Sequence, residues 1–258
     1  MLRHWSLALV CLLFSLSVQS RELLAVGTTF TGIFEQDAKG NFVGLGVDLV
    51  KTLCGLHGDT VKFKIEPWTR AQETVASGAA DVLIGPYLTP EREKRFAFME
   101  QPFYEDNMVF YVNANSDHRW DGSYTSLMGK RIVTIRGWAY GEQFDRELPN
   151  LNVEVTSTIE GAMLMLAANR MDYLAVNERN AYREFSKPDI RPAVAKIAPA
   201  IGVQYGYIAF PRDAQHVELL GKFNAAFKNL TRSGQFAAMS TKYAGLVKIP
   251  PKDKTKFK

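Results

Sequence analysis

The chain is poor in cysteine and histidine, with Cys 2 and His 4 in 258 residues. Cys11 lies in the N-terminal apolar segment, preceded by Val10, a poor lipidation context. Beyond that segment only Cys54 remains, which excludes an intramolecular disulfide. The fold must therefore be held by its core. Cys54-Gly55-Leu56-His57 has loose metal-like spacing but lacks further ligands, so no metal site is assigned. Strong charge of one sign is also missing. A formal net charge of +4, spread along the chain, does not argue for nucleic acid. No stretch after the leader approaches the roughly 18 apolar residues of a membrane-spanning helix. There is no Gly-x-Ser-x-Gly and no phosphate loop, and Gly44-Leu45-Gly46 is too short for a dinucleotide fingerprint. No cofactor is assigned.

What is present begins with a leader. Arg3 supplies a positive charge, Trp5 to Leu16 is mostly apolar, and Val18-Gln19-Ser20 suits a signal peptidase. Residues 1–20 are expected to be a signal peptide cleaved after Ser20, and the protein to be exported. An uncleaved anchor is the alternative. The remainder is long enough for one large domain or two small ones. Its hydrophobic content of 47% and charged content of 22% are ordinary for a globular chain. The basic stretch Lys248 to Lys258 reads as a solvated terminus.

Strand and helix patterns alternate. Leu23 to Thr29, Thr60 to Ile65 and Asp81 to Gly85 read as strands. Between them, Gly46 to Leu56 places Val47, Val50, Leu53 and Cys54 at helical spacing, and Thr69 to Ser77 is a second helix. Cys54 therefore reads as core packing. The pattern then returns: strand Lys130 to Ile135, helix Gly137 to Leu148, strand Val153 to Thr156, helix Ile159 to Ala168, strand Tyr173 to Val176. Both halves contain a helix, a Gly or Asn stop, two residues, an Asp and a buried strand. Ser77-Gly78-Ala79-Ala80-Asp81 matches Ala168-Asn169-Arg170-Met171-Asp172 in this respect. Two similar α/β lobes with mainly parallel sheets follow. The closing strand Tyr205 to Phe210 and the helices Val217 to Leu230 and Gln235 to Tyr243 cannot form a core alone and must pack on an earlier lobe. Segments near Val109 to Asn113 and Gly202 to Gly206 are expected to cross between lobes as a hinge, with a ligand cleft between. The expected division is 21–111 with 205–258 as lobe one and 112–204 as lobe two.

Leu88-Thr89-Pro90-Glu91-Arg92-Glu93 follows the buried strand pattern Asp81 to Gly85. Open α/β sheets bind ligands at such strand ends. An arginine there presents a planar fork of donors suited to a carboxylate. The competing reading is a surface pairing of Arg92 with Glu91 or Glu93, worth little.

These segments together resemble the family 3 periplasmic solute-binding proteins of ABC transporters, the polar amino-acid type. The resemblance rests on Asp37-Ala38-Lys39-Gly40-Asn41-Phe42-Val43-Gly44 with Val47-Asp48-Leu49, Ser77-Gly78 with Asp81, and Thr89-Pro90-Glu91-Arg92. Further segments in order are Pro102-Phe103-Tyr104, Leu127-Met128-Gly129-Lys130, Asn169-Arg170-Met171-Asp172, and Ser233-Gly234 with Lys242-Tyr243. The resemblance implies a two-lobed α/β venus-flytrap fold with two hinge strands, a periplasmic location, an ABC-transporter permease as partner, and a monomer. It also implies that Arg92 grips a ligand carboxylate and that Phe30 and Trp68 stack on the ligand, although both could equally be core residues. Arg70 is a candidate second anion contact. Gly137-Trp138-Ala139-Tyr140 corresponds to a helix start that holds the other carboxylate oxygen through backbone N–H groups; otherwise Gly137 only permits a tight turn.

Two departures bear on the ligand. Asn177 stands where the family usually has an acid for the ligand ammonium, and Gly85-Pro86-Tyr87 replaces small hydroxyl residues. A carboxylate solute without an amine fits about as well as an amino acid, with Glu66 or Glu178 as substitute acids. No catalytic set is assigned and turnover is not expected. The rivals are a binding-protein-like dehydratase of cyclic carboxylates, with Glu66, Glu178 and Asp106 as titratable candidates, and a ligand-sensing module for a receptor. His57, His118 and His216 occupy a helix end, a polar loop and a helix start, and read as solvated.

Overall fold

A computed structural model describes residues 20–251. Apart from Ser20, the expected leader lies outside the described residues, as does the tail from residue 252. In the first half the elements are β1 (Glu22–Gly27), β2 (Glu35–Gln36), β3 (Phe42–Val43), α1 (Leu45–Gly55), β4 (Thr60–Ile65), α2 (Trp68–Ala76), β5 (Val82–Tyr87), α3 (Pro90–Glu93) and β6 (Phe96–Phe98). They are followed by β7 (Tyr104–Asn113), β8 (Arg131–Ile135), α4 (Glu142–Glu147), β9 (Asn152–Thr156), α5 (Ile159–Ala167), β10 (Tyr173–Asn177), α6 (Glu178–Phe185), β11 (Val194–Pro211), α7 (Ala214–Arg232) and α8 (Gln235–Ser240).

The strands follow the order β4-β1-β5-β11-β7-β10-β8-β9. Strands β4, β1 and β5 run parallel at one end, and β10, β8 and β9 at the other. Between them lie the two long antiparallel strands β7 and β11. The C-terminal part of β11 pairs with β5 and β6, while Met108 to Tyr111 of β7 pair with β10. Each long strand thus belongs to both halves, and the architecture is the expected two-lobed α/β fold. The crossings are longer than the two short segments read from the sequence. Residues Val194 to Ile197 pair along β7 and so belong to β11, with a register shift between Ile197 and Gly202.

The repeat has a structural counterpart. Gly78 and Asn169 both take positive φ, 75° and 54°, turning the chain off α2 and α5. Asp81 Oδ2 then accepts from Leu24 N at 2.7 Å, and Asp172 Oδ2 accepts from Arg131 N at 2.7 Å. In each lobe the aspartate therefore ties a new strand to the one that opened the lobe.

Helix α1 buries Val47, Val50, Leu53 and Cys54. Burial pushes the Cys54 thiol up to about 12, as expected of a core residue. Helix α7 buries Phe223, Phe227 and Leu230 against lobe one. His216 corrects the sequence reading. It is buried, with Nδ1 2.7 Å from Asp213 Oδ1 and Nε2 3.1 Å from Asp81 Oδ1. The N-cap of α7 brings it there: Asp213 accepts from the His216 backbone N–H and holds the ring as well. Among the described residues, no helix is long and apolar enough to cross a membrane.

Candidate functional site

Strand β5 ends at Tyr87, and the chain reverses through the short α3. Thr89 caps α3 by accepting from Arg92 N at 3.2 Å, with Pro90 at its first position. This turn folds Arg92 back over the strand end. Its Nη1 donates to Tyr87 O at 2.9 Å, within lobe one. Its Nη2 donates to Gly137 O at 2.9 Å, across the cleft. The guanidinium also lies 5.6 Å from the centre of the Trp68 ring. Arg92 is only 7% exposed. The surface pairing with Glu91 or Glu93 is not made. Burial strips the guanidinium of water and lowers its pKa to about 10, so it still carries its charge at neutral pH.

Three aromatic rings stand beside it. Phe30 meets Trp68 edge-on at 5.2 Å and Trp138 at 6.2 Å. Trp68 opens α2 and donates its Nε1 to Gly137 O at 2.9 Å, so one carbonyl of lobe two takes bonds from two residues of lobe one. These rings, with Gly85, Tyr87, Arg92, Ala139 and Asn177, enclose a cavity of about 10 Å³. That volume holds about one water, as befits closed lobes. Trp68 and Trp138 also border a larger cleft of about 430 Å³, whose rim carries the hydroxyls of Thr28, Thr29, Thr31, Thr69, Ser157 and Thr158.

A second buried arginine lies behind the cavity. Arg179 of α6 donates through Nε to Asp106 Oδ1 at 2.9 Å and through Nη2 to Asp106 Oδ2 at 2.7 Å. Tyr87 Oη donates to Asp106 Oδ2 at 2.6 Å. Arg179 also bonds Thr31 O, and its guanidinium sits 5.1 Å from the Tyr104 ring centre. Burial works against the charge of Arg179, but the paired carboxylate of Asp106 holds its pKa above the ordinary arginine value. Asn177 caps α6 through Oδ1, which accepts from Asn180 N at 2.8 Å, and its Nδ2 donates to Tyr87 Oη at 3.0 Å.

The structure therefore brings Phe30, Trp68, Gly85, Tyr87, Arg92, Trp138, Ala139 and Asn177 around one cavity, and leaves two expected residues elsewhere. Arg70 is on the exposed face of α2. Tyr140 points into the core of lobe two, its Oη accepting from Ile135 N at 2.6 Å. The helix start expected at Gly137 is also displaced. Residues 136–141 form a turn and loop, and α4 begins only at Glu142. The backbone N–H groups of Tyr140 and Gly141 are taken by the Asp145 carboxylate. What this loop turns toward Arg92 is a carbonyl, that of Gly137. Gly137 has φ +73°, and a Cβ there would fall 2.9 Å from Thr69 Cγ2, so only glycine lets the lobes approach this closely.

The acids considered for proton transfer all have partners. Glu66 pairs with Lys64 at 2.7 Å and accepts from Thr74 at 2.7 Å. Glu178 pairs with Lys196 and accepts from Asn107, which together hold its pKa below the usual range despite partial burial. Asp106 belongs to Arg179. Sequence reasoning did not find α6, the roles of Arg179 and Asn180, or the Gly137 carbonyl. Asp106 appeared only as a titratable residue.

Residues 25–246 match the bacterial extracellular solute-binding proteins, family 3, and the chain belongs to that family. The L-arginine-binding protein of Pseudomonas aeruginosa is 23% identical over 212 residues, covering 79% of this chain and 80% of that protein. The histidine-binding periplasmic protein of Salmonella typhimurium is 23% identical over 231 residues, covering 85% and 86%. A histidine kinase sensor domain similar to periplasmic binding proteins shares the fold, with a TM-score of 0.77 at 21% identity over 90% of this chain and 98% of that one. The arginine- and histidine-binding relatives are binding proteins, and at the level of the family the function is solute binding rather than catalysis.

Proposed function

We propose that this protein is an exported, periplasmic binding protein that captures a small carboxylate-bearing solute between its lobes and presents it to an ABC-transporter permease. The lobes are 21–111 with 205–258, and 112–204. One observation carries this reading: Arg92 is buried at the interlobe cavity and donates to two carbonyls, with no carboxylate bonded to it. A buried cation without a paired anion is costly. A ligand carboxylate would supply the missing charge through a bidentate contact. Phe30, Trp68 and Trp138 would hold the rest of the solute. The aromatic contacts come from both lobes, so the ligand favours the closed form by differential affinity.

The test is a thermal-shift screen of amino acids, dicarboxylates and aromatic acids, followed by calorimetry. A ligand in large excess over its Kd raises the melting point by linkage. Arg92→Ala is expected to weaken binding of any hit by roughly tenfold to a thousandfold. Unchanged affinity rejects the role of Arg92. Mass spectrometry of the hit after incubation separates binding from turnover, and an intact solute is expected.

The likeness to a histidine kinase sensor domain favours a second reading, in which a receptor reads the closed form in place of a permease. A deletion strain separates the two: loss of solute uptake supports the first, and loss of a transcriptional response with uptake intact supports the second.

A further inference from the structure

The charges around the cavity narrow the class of solute. A zwitterionic amino acid brings two charges into a closed site. Its carboxylate has Arg92. Its ammonium needs a buried acceptor, best a negative one, because a buried charge left unpaired is costly.

No residue enclosing the cavity is acidic. Asp106 lies behind Tyr87 and is already bonded by Arg179 and Tyr87. The protein's own guanidinium thus holds the place a ligand cation would need. Asn177 lines the cavity, but it is neutral, and its Oδ1 already accepts from Asn180 N while its Nδ2 donates to Tyr87 Oη, so it offers an ammonium no charge. On the far side of Arg92, Asp145 is held by the N–H groups of Tyr140 and Gly141. Of the two buried arginines, Arg179 is paired with a carboxylate, Asp106, whereas Arg92 is hydrogen-bonded to none and the half-buried Asp145 acts on it only through space. A monoanion supplies Arg92 with a bonded partner, whereas a zwitterion also brings an ammonium for which the cavity wall offers no acid.

The remaining candidates for an ammonium are Glu160 and Glu184 of the adjoining cleft, which both pair with Lys187, and the aromatic rings. A cation–π contact offsets only part of the cost of burying an unpaired ammonium, and Trp68 already stands against the Arg92 guanidinium.

We infer that the site selects monocarboxylates without an α-ammonium group, with an apolar or aromatic body that packs on Phe30, Trp68 and Trp138. This rests on the carboxylate reading above.

The experiment compares matched pairs by calorimetry at neutral pH: 3-phenylpropionate against phenylalanine, and pentanoate against norvaline. The acid without the amine is expected to bind at least about tenfold tighter in a pair that binds, a difference of about 1.4 kcal/mol. A smaller preference, or one for the amino acid, overturns the inference and leaves Arg92 as a carboxylate clamp. No binding by either pair or by the wider acid screen overturns the clamp itself, and this inference with it. Asn177→Asp restores a carboxylate to the cavity wall and is expected to shrink the acid-to-amino-acid ratio. A ratio that does not move counts against the inference.

Discussion

The Arg92 guanidinium meets the carbonyl oxygen of Gly137 at 2.9 Å across the interlobe cleft, and Trp68 Nε1 reaches the same oxygen at the same distance. Lobe closure and the binding cation thus converge on one backbone atom. A carboxylate that reaches Arg92 must compete with this carbonyl or share the fork with it.

Two buried arginines of nearly equal exposure, Arg92 at 7% and Arg179 at 6%, should respond oppositely to removal of their charge. Arg92→Met deletes a cation with no paired acid. Folding stability should stay within about 1 kcal/mol of the parent while ligand binding is lost. Denaturant unfolding read beside calorimetry checks both halves of this expectation.

Arg179→Met should behave differently, because it strands the Asp106 carboxylate, which is 2% exposed. The expected loss is about 3–5 kcal/mol. Adding Asp106→Asn should recover part of it, and a double-mutant cycle by denaturant melts measures the coupling. If the second change adds to the first instead, the pair is not the buried unit described.

Gly137→Ala places a Cβ 2.9 Å from Thr69 Cγ2 at a positive φ. The contact with Thr69 exists only when the lobes meet, whereas the strain of positive φ is present in open and closed forms alike, so the substitution should weaken ligand affinity as well as lower the melting temperature. Small-angle scattering should show a more open average form.

Acid should destabilise the fold through Glu66. Burial works against its charge, but Lys64 and Thr74 more than offset this and hold its pKa below the ordinary glutamate value of 4.5. The unfolded chain therefore takes up this proton first. The stabilisation is fully present above about pH 4.5 and is lost as pH falls through the lower folded value. Glu66→Gln should flatten this part of a stability-versus-pH profile, measured by thermal melts.

Much of this was legible in the sequence because it depends on local pattern. Gly78 and Asn169 mark the same left-handed turn, and Asp81 and Asp172 bond the same way in both lobes. The position of Arg92 followed from the strand end and from the Thr89-Pro90-Glu91-Arg92 segment on which the family resemblance rests. What the sequence hid depends on long-range partners. The sequence pattern assigns residues 178–181 to no element, yet α6 buries Arg179 and Asn180 because Asp106 and Thr31 reach them from distant parts of the chain. His216 was misread for the same reason, since Asp81 lies far away in sequence. The expected helix at Gly137 failed for a local reason. Gly141 takes φ 124°, which delays α4 to the next residue.

The most direct measurement titrates the protein with the tightest acid from the screen and with the primary amide of the same compound. The amide keeps the shape and loses the charge. The acid should bind at least about tenfold tighter to the parent protein, and Arg92→Ala should erase most of that difference. An amide that binds as tightly as its acid, or an acid preference that survives in Arg92→Ala, would contradict the claim that this guanidinium recognises the solute.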